Sequence, residues 1–159
     1  MNALFFDGPG NIKVRDLVIP KLQPDELLVQ VNGCGVCGTD FHIYEGNAPA
    51  KIPVVLGHEY CGTIVDKGER VEGYSLGDNI VINPNIHCGY CEFCRIGKIN
   101  LCSNLKALGV SVNGGMSQYS VIPLTQAYFL PKDFPFSQAV FAEPLSCCIH
   151  GVNLAEIIV

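Results

Sequence analysis

The sequence has 159 residues, 48% of them hydrophobic, with 17 Gly, 10 Pro and 9 Cys, a length that suits one domain with its own core rather than two. Charged residues are only 16% of the chain and apolar ones are spread along it, which excludes a disordered or acidic solvating segment. With 10 Lys and Arg against 15 Asp and Glu the formal charge is −5, the wrong sign for binding nucleic acid through its phosphates.

The first predicted element is a hairpin. An apolar run at Ala3 to Phe6 meets the turn Asp7-Gly8-Pro9-Gly10-Asn11, and Ile12, Val14 and further strand-like residues follow up to Ile19. Pro20 and the segment Leu22 to Asp25 break the run. Leu27, Val29 and Val31 then alternate with Leu28, Gln30 and Asn32, as a half-buried strand does. More strands are expected over 60–66, 79–83, 118–122 and 126–130. Two segments read as helices: a short turn over 39–44 and a longer one over 144–156. In the longer one Pro144 suits the first position, and Leu145, Cys148, Ile149 and Val152 form an i, i+3, i+4, i+7 stripe expected to be buried. Residues 157–159 read as the start of another strand. The fold class is therefore mainly β, a partly closed barrel of short strands with few helices.

No stretch reaches the roughly 18 apolar residues of a membrane span, and the start MNALFFDGPGNIK carries no leader pattern. A cytoplasmic location is expected, and in that reducing setting an odd number of cysteines points to metal or thiol chemistry rather than disulfides. Cys88-x2-Cys91-x2-Cys94-x7-Cys102 puts four thiols in one short Gly-bearing lobe, the donor set of a closed, structural zinc site. An iron–sulfur cluster is the rival reading. The ferredoxin-type run continues with x3-C-P, whereas here seven residues intervene and Ser103 follows the last Cys.

A second constellation comprises Cys37, the pair His58-Glu59, and Glu143 before Pro144. Together they offer sulfur, nitrogen and oxygen donors, and three such ligands plus water make a catalytic zinc site. At this point the chain resembles a known family. GVCGTDFHIYEG, PVVLGHEYCGTIV, the four-Cys lobe, GGMSQYSVIP and EPLSCCIHG are similar, in order, to the catalytic domain of zinc-dependent medium-chain alcohol and polyol dehydrogenases, most of all the sorbitol, butanediol and threonine dehydrogenases.

The resemblance implies a GroES-like β-barrel over 1–143, with the structural-zinc lobe at 84–104, and a linking helix leading toward a nucleotide-binding domain over 144–159. It implies two Zn²⁺ per chain and NAD or NADP in the full-length enzyme, which would oxidise a secondary alcohol or polyol to a ketone. Cys37 and His58 match direct ligands, and Glu59 and Glu143 match carboxylates sharing the remaining coordination. Asp40 matches a carboxylate that orients the ligand His, and Thr39 and His42 match a proton relay to solvent. A homo-oligomer, dimer or tetramer, is implied at full length, with no nucleic-acid or membrane partner.

Gly33 to Gly38 also spells G-x-G-x-x-G, but no strand–helix–strand unit completes a dinucleotide site around it. Cys34-x2-Cys37 likewise lacks the setting of a redox pair. Cys61, Cys147 and Cys148 are expected to be small apolar fillers. Because the family continues into a Rossmann domain, the chain reads as the catalytic-domain portion of such an enzyme, inactive alone. The reading from a different class is a stand-alone zinc-binding structural or interaction module. Phe41, Ile43 and Tyr44 are the candidate substrate walls.

Overall fold

A computed structural model describes residues 1–155; the strand expected from 157 lies outside the described residues. β1 (Asn2–Gly8) and β2 (Asn11–Asp16) form the expected hairpin, pairing Phe6 with Ile12 and Leu4 with Val14. Gly10 supplies the left-handed φ of +70° at the turn. The short β4 (Val54–Val55) lies on the other side of β1, giving the order β2-β1-β4. A larger antiparallel sheet runs β10 (Ala127–Phe129), β6 (Asn79–Ile82), β5 (Tyr60–Lys67), β3 (Glu26–Cys34), β9 (Tyr119–Pro123). β7 (Asn85–Ile86) and β8 (Lys106–Ala107) pair across the two ends of the cysteine lobe. The helices are α1 (Gly38–Glu45), α2 (Glu92–Arg95), α3 (Phe136–Ala139) and α4 (Ala142–Leu154). No helix among the described residues is long and apolar enough to cross a membrane.

The alternating strand buries what its pattern demands. Leu27 and Val29 are fully buried, and with Ile64, Ile80, Ile82 and Ile122 they build the larger core. The Tyr60 phenol lies inside this core, and burial raises its pKa; its hydroxyl is satisfied by Ser120 Oγ at 3.0 Å. A smaller core of Phe6, Ile43, Val54 and Leu56 clamps α1 against the hairpin sheet.

Several expectations are corrected. β2 stops at Asp16 rather than Ile19, because the partner strand runs out at Met1, whose carbonyl accepts the Leu17 N–H at 2.8 Å as the last backbone bond between them. There the amino terminus of Met1 donates to Asp16 Oδ1 and the Leu17 carbonyl, leaving Val18 91% exposed. Ile43 is not a substrate wall, since it is buried in the smaller core, while Phe41 and Tyr44 are exposed. The stripe on α4 is not buried: Leu145, Ile149 and Val152 are exposed, and so are Cys147 and Cys148, which therefore fill no core. Periodicity shows that this helix has an apolar face; it does not say what meets that face. Pro144 is the third helical residue rather than the first, a position where a missing N–H still costs no helical bond.

Two candidate metal centres

The lobe assembles its four sulfurs almost locally. Cys91 caps α2, and the 3-10 turn at Ile99–Leu101 delivers Cys102. The donor atoms of Cys88, Cys91, Cys94 and Cys102 all lie within 4.8 Å of one another. Cys88 and Cys94 Sγ are 4.0 Å apart, and Cys91 and Cys102 Sγ 3.9 Å, close to the ~3.8 Å edge of a tetrahedron with zinc–sulfur bonds of ~2.3 Å. Backbone N–H groups surround the cluster: those of Cys88 and Asn104 donate to Cys102 Sγ at 3.3 and 3.4 Å. The N–H groups of Cys94 and Ser103 pull the Cys91 thiol down to about 6. Cys88 is also lowered, its desolvation outweighed by the N–H groups of Tyr90 and Cys91. Desolvation and the neighbouring Cys91 thiol hold Cys94 up at about 12. A site that stabilises thiolate on one sulfur and crowds the next calls for a cation at its centre.

The second cluster is built from distant segments. Cys37 caps α1 directly after β3, and His58 and Glu59 lie between β4 and β5. Gly57, with φ +90°, makes the bend before His58; a Cβ there would lie 2.6 Å from Met116 Cγ and 2.7 Å from Cys34 Sγ. The donor atoms of Cys37, His58 and Glu59 all lie within 4.8 Å of one another, and all three residues are half-buried.

Asp40, buried on the first turn of α1, joins two of them. Its Oδ2 accepts the Cys37 N–H at 2.9 Å, half of a capping box. Its Oδ1 faces His58 Nδ1 at 3.7 Å, and neither of these two buried atoms has a hydrogen-bond partner among the described residues. A carboxylate behind an imidazole is the arrangement that orients a histidine toward a metal through its other nitrogen, so the donor set and the orphaned pair both fit a zinc ion.

The remaining expected residues are placed less closely. Thr39 is exposed with Oγ1 3.6 Å from Cys37 Sγ. His42 is exposed one turn further along α1, and no hydrogen bond joins it to Thr39 among the described residues. Glu143 is outside the close set. It is the second residue of α4, and its Oε1 faces the Cys147 thiol at 3.6 Å. It lies on the wall of a separate cleft of about 480 Å³ with Asn85, His87, Asn100, Tyr128 and Cys147. None of those last residues except Cys147 stood out in sequence; the only signal was that His87 directly precedes Cys88. Cys34 is no redox partner for Cys37: burial first, then the Asp40 and Glu59 carboxylates and Cys61, push its thiol up to about 12, the reverse of activation.

Residues 23–132 match the alcohol dehydrogenase GroES-like domain family. D-arabinitol dehydrogenase 1 of Uromyces fabae is 38% identical over 96% of this chain and 44% of its own length. D-altritol 5-dehydrogenase of Agrobacterium fabrum is 37% identical over 99% of this chain and 47% of its own. A Sinorhizobium meliloti 1021 protein assigned as a zinc-binding dehydrogenase and solved with NADP superposes with a TM-score of 0.94 at 44% identity, over 96% of this chain and 45% of that one. The chain thus spans less than half the length of these relatives. On the matched domain, the chain belongs to the alcohol dehydrogenase GroES-like domain family, which it shares with these dehydrogenases.

Proposed function

We propose that this chain is the metal-holding, substrate-activating part of a zinc-dependent oxidoreductase that converts a secondary alcohol or polyol to a ketone with NAD or NADP as hydride acceptor. The observation that carries the reading is the coexistence of two unlike clusters, a closed set of four sulfurs and a mixed sulfur, nitrogen and carboxylate set. Relatives named for arabinitol and altritol support the polyol class, and neighbours solved with NADP and with NADH support the acceptor.

Cys37 and His58 would hold the catalytic zinc directly, and Glu59 and Glu143 would share the remaining coordination, directly or through water. Bound there, the metal supplies Lewis acidity toward a substrate hydroxyl. Asp40 fixes the imidazole of His58. Thr39 Oγ1 would accept the substrate hydroxyl proton while releasing its own, and exposed His42 would take that proton through an intervening water and pass it to solvent. Glu143 stands in the first turn of α4. In the domain division, 1–143 forms the catalytic body and α4 begins the link toward the nucleotide-binding part; the apolar face exposed on α4 suits that role.

Zinc analysis combined with nicotinamide reduction tests the proposal in the full-length protein. Two zinc ions per chain and reduction of NAD or NADP on a panel of secondary alcohols and polyols are expected. One zinc confined to the lobe, with no reduction, would overturn it in favour of a structural module. Iron with visible absorption would make the lobe an electron-transfer centre instead.

A further inference from the structure

The Glu59 carboxylate reaches the Cys37 cluster only because the opposite residue has no side chain. β3 and β5 are antiparallel, with Cys34 paired to Tyr60, so Gly35 stands opposite Glu59 one step beyond the ladder. The Gly35 N–H donates to the Glu59 carbonyl at 2.7 Å. Directly opposed residues project their Cβ atoms to the same face. A Cβ at position 35 would lie 2.5 Å from Glu59 Oε2, 3.2 Å from its Cβ and 3.5 Å from its Cδ. Those three atoms, all of one side chain, are the nearest neighbours of that empty position. Gly35 also has an ordinary φ, unlike Gly57, so its lack of a side chain, rather than backbone freedom, is what the site uses.

We propose that Gly35 is a positioning residue for the metal site: the space above its Cα is the seat of the Glu59 carboxylate. This rests on the reading of Cys37, His58 and Glu59 as a metal centre. An alanine at 35 is compatible with the backbone and collides mainly with the mobile end of Glu59. The strands therefore stay paired while the carboxylate swings out of the cluster. Gly35 acts through Glu59 alone, so removing the carboxylate makes the seat irrelevant.

The test is a double-mutant cycle on the zinc-loaded full-length protein, with zinc retained against a graded chelator as the readout. Gly35→Ala should weaken the Cys37-site zinc by about 10–100-fold, the range typical of groups that orient ligands, while the lobe keeps its zinc. Glu59→Ala should cause a similar loss, and Gly35→Ala combined with Glu59→Ala no further loss. Unchanged zinc retention in Gly35→Ala, or losses that multiply in the double variant, overturns the proposal. Thermal melting supplies the second readout. Gly35→Ala should be clearly less destabilising in the Glu59→Ala background, where the 2.5 Å approach to the carboxylate is gone and only the 3.2 Å approach to the Cβ of residue 59 remains; the same destabilisation there as in wild type would show that the collision is not with the Glu59 carboxylate and overturn the seat. Zinc in the lobe alone in the unaltered protein would instead overturn the metal-site reading, whatever the melting cycle shows.

Discussion

The two candidate centres solve one problem, gathering donors around a cation, in opposite ways. The lobe takes all four sulfurs from the stretch 88–102, and backbone N–H groups tune them. The Cys37 centre takes one donor from the cap of α1 and two from the approach to β5, and needs Asp40 and the strand register to hold them. A donor set that is contiguous in sequence can be written as a spacing, whereas a set assembled across strands exists only once the sheet does. Under the proposed function this would also separate their chemistry, since four sulfurs close a zinc coordination sphere and three mixed donors would leave one position open.

The largest effect that would break this comparison is loss of a lobe sulfur. Cys102, the buried member of the lobe set, should be indispensable: Cys102→Ser is expected to drop zinc from two to one per chain and to open the lobe to protease between residues 84 and 104, read by mass spectrometry of the fragments. Retained zinc and a resistant lobe would mean that its fold does not depend on the metal. Cys37→Ser should remove the other zinc alone and cut turnover by more than the about 100-fold that ligand-orienting partners carry; loss of both ions would show that the centres are not independent. Asp40→Asn keeps an oxygen for the Cys37 N–H but loses the charge behind His58, and should weaken that zinc by about 10–100-fold in a chelator competition without touching the lobe.

The smallest effect sharpens the place of Glu143. Desolvation and then the Glu143 carboxylate raise the Cys147 thiol pKa. Its alkylation rate should therefore keep climbing with pH above the value for an ordinary thiol, since the thiolate forms later. Glu143→Gln should speed the reaction at fixed pH by removing the nearby charge. Cys34, held near 12, should stay unlabelled throughout in the folded protein. If zinc loading also speeds Cys147 labelling, Glu143 has turned from the thiol toward the metal, which favours its share in coordination.

Much of this was legible in the residues. The hairpin, the alternating strand at Leu27 to Val31, the strands over 60–66 and 79–83, α1 and the lobe follow from turn chemistry, period and Cys spacing, and the structure places them within a residue or two except at the end of β2, which stops three residues short of Ile19. The pairs β4, β7 and β8 are two residues each, too short for any period to show. The stripe on α4 was visible as a pattern but not its exposure, because burial belongs to the partner surface as much as to the helix. Cys37, His58 and Glu59 were visible as a donor set; that Asp40 bridges two of them, and that position 35 must be empty for the third, depends on a strand register no local pattern encodes.

The divided carboxylate of Asp40 has a kinetic consequence. One oxygen holds the N-terminal turn of α1 and the other faces the imidazole of His58, so fraying of that turn would also withdraw the carboxylate from behind the ring. Metal escape and amide hydrogen exchange at Cys37 should then share one rate, both limited by the same local unfolding. A chelator present in excess would strip this centre no faster than the helix end opens.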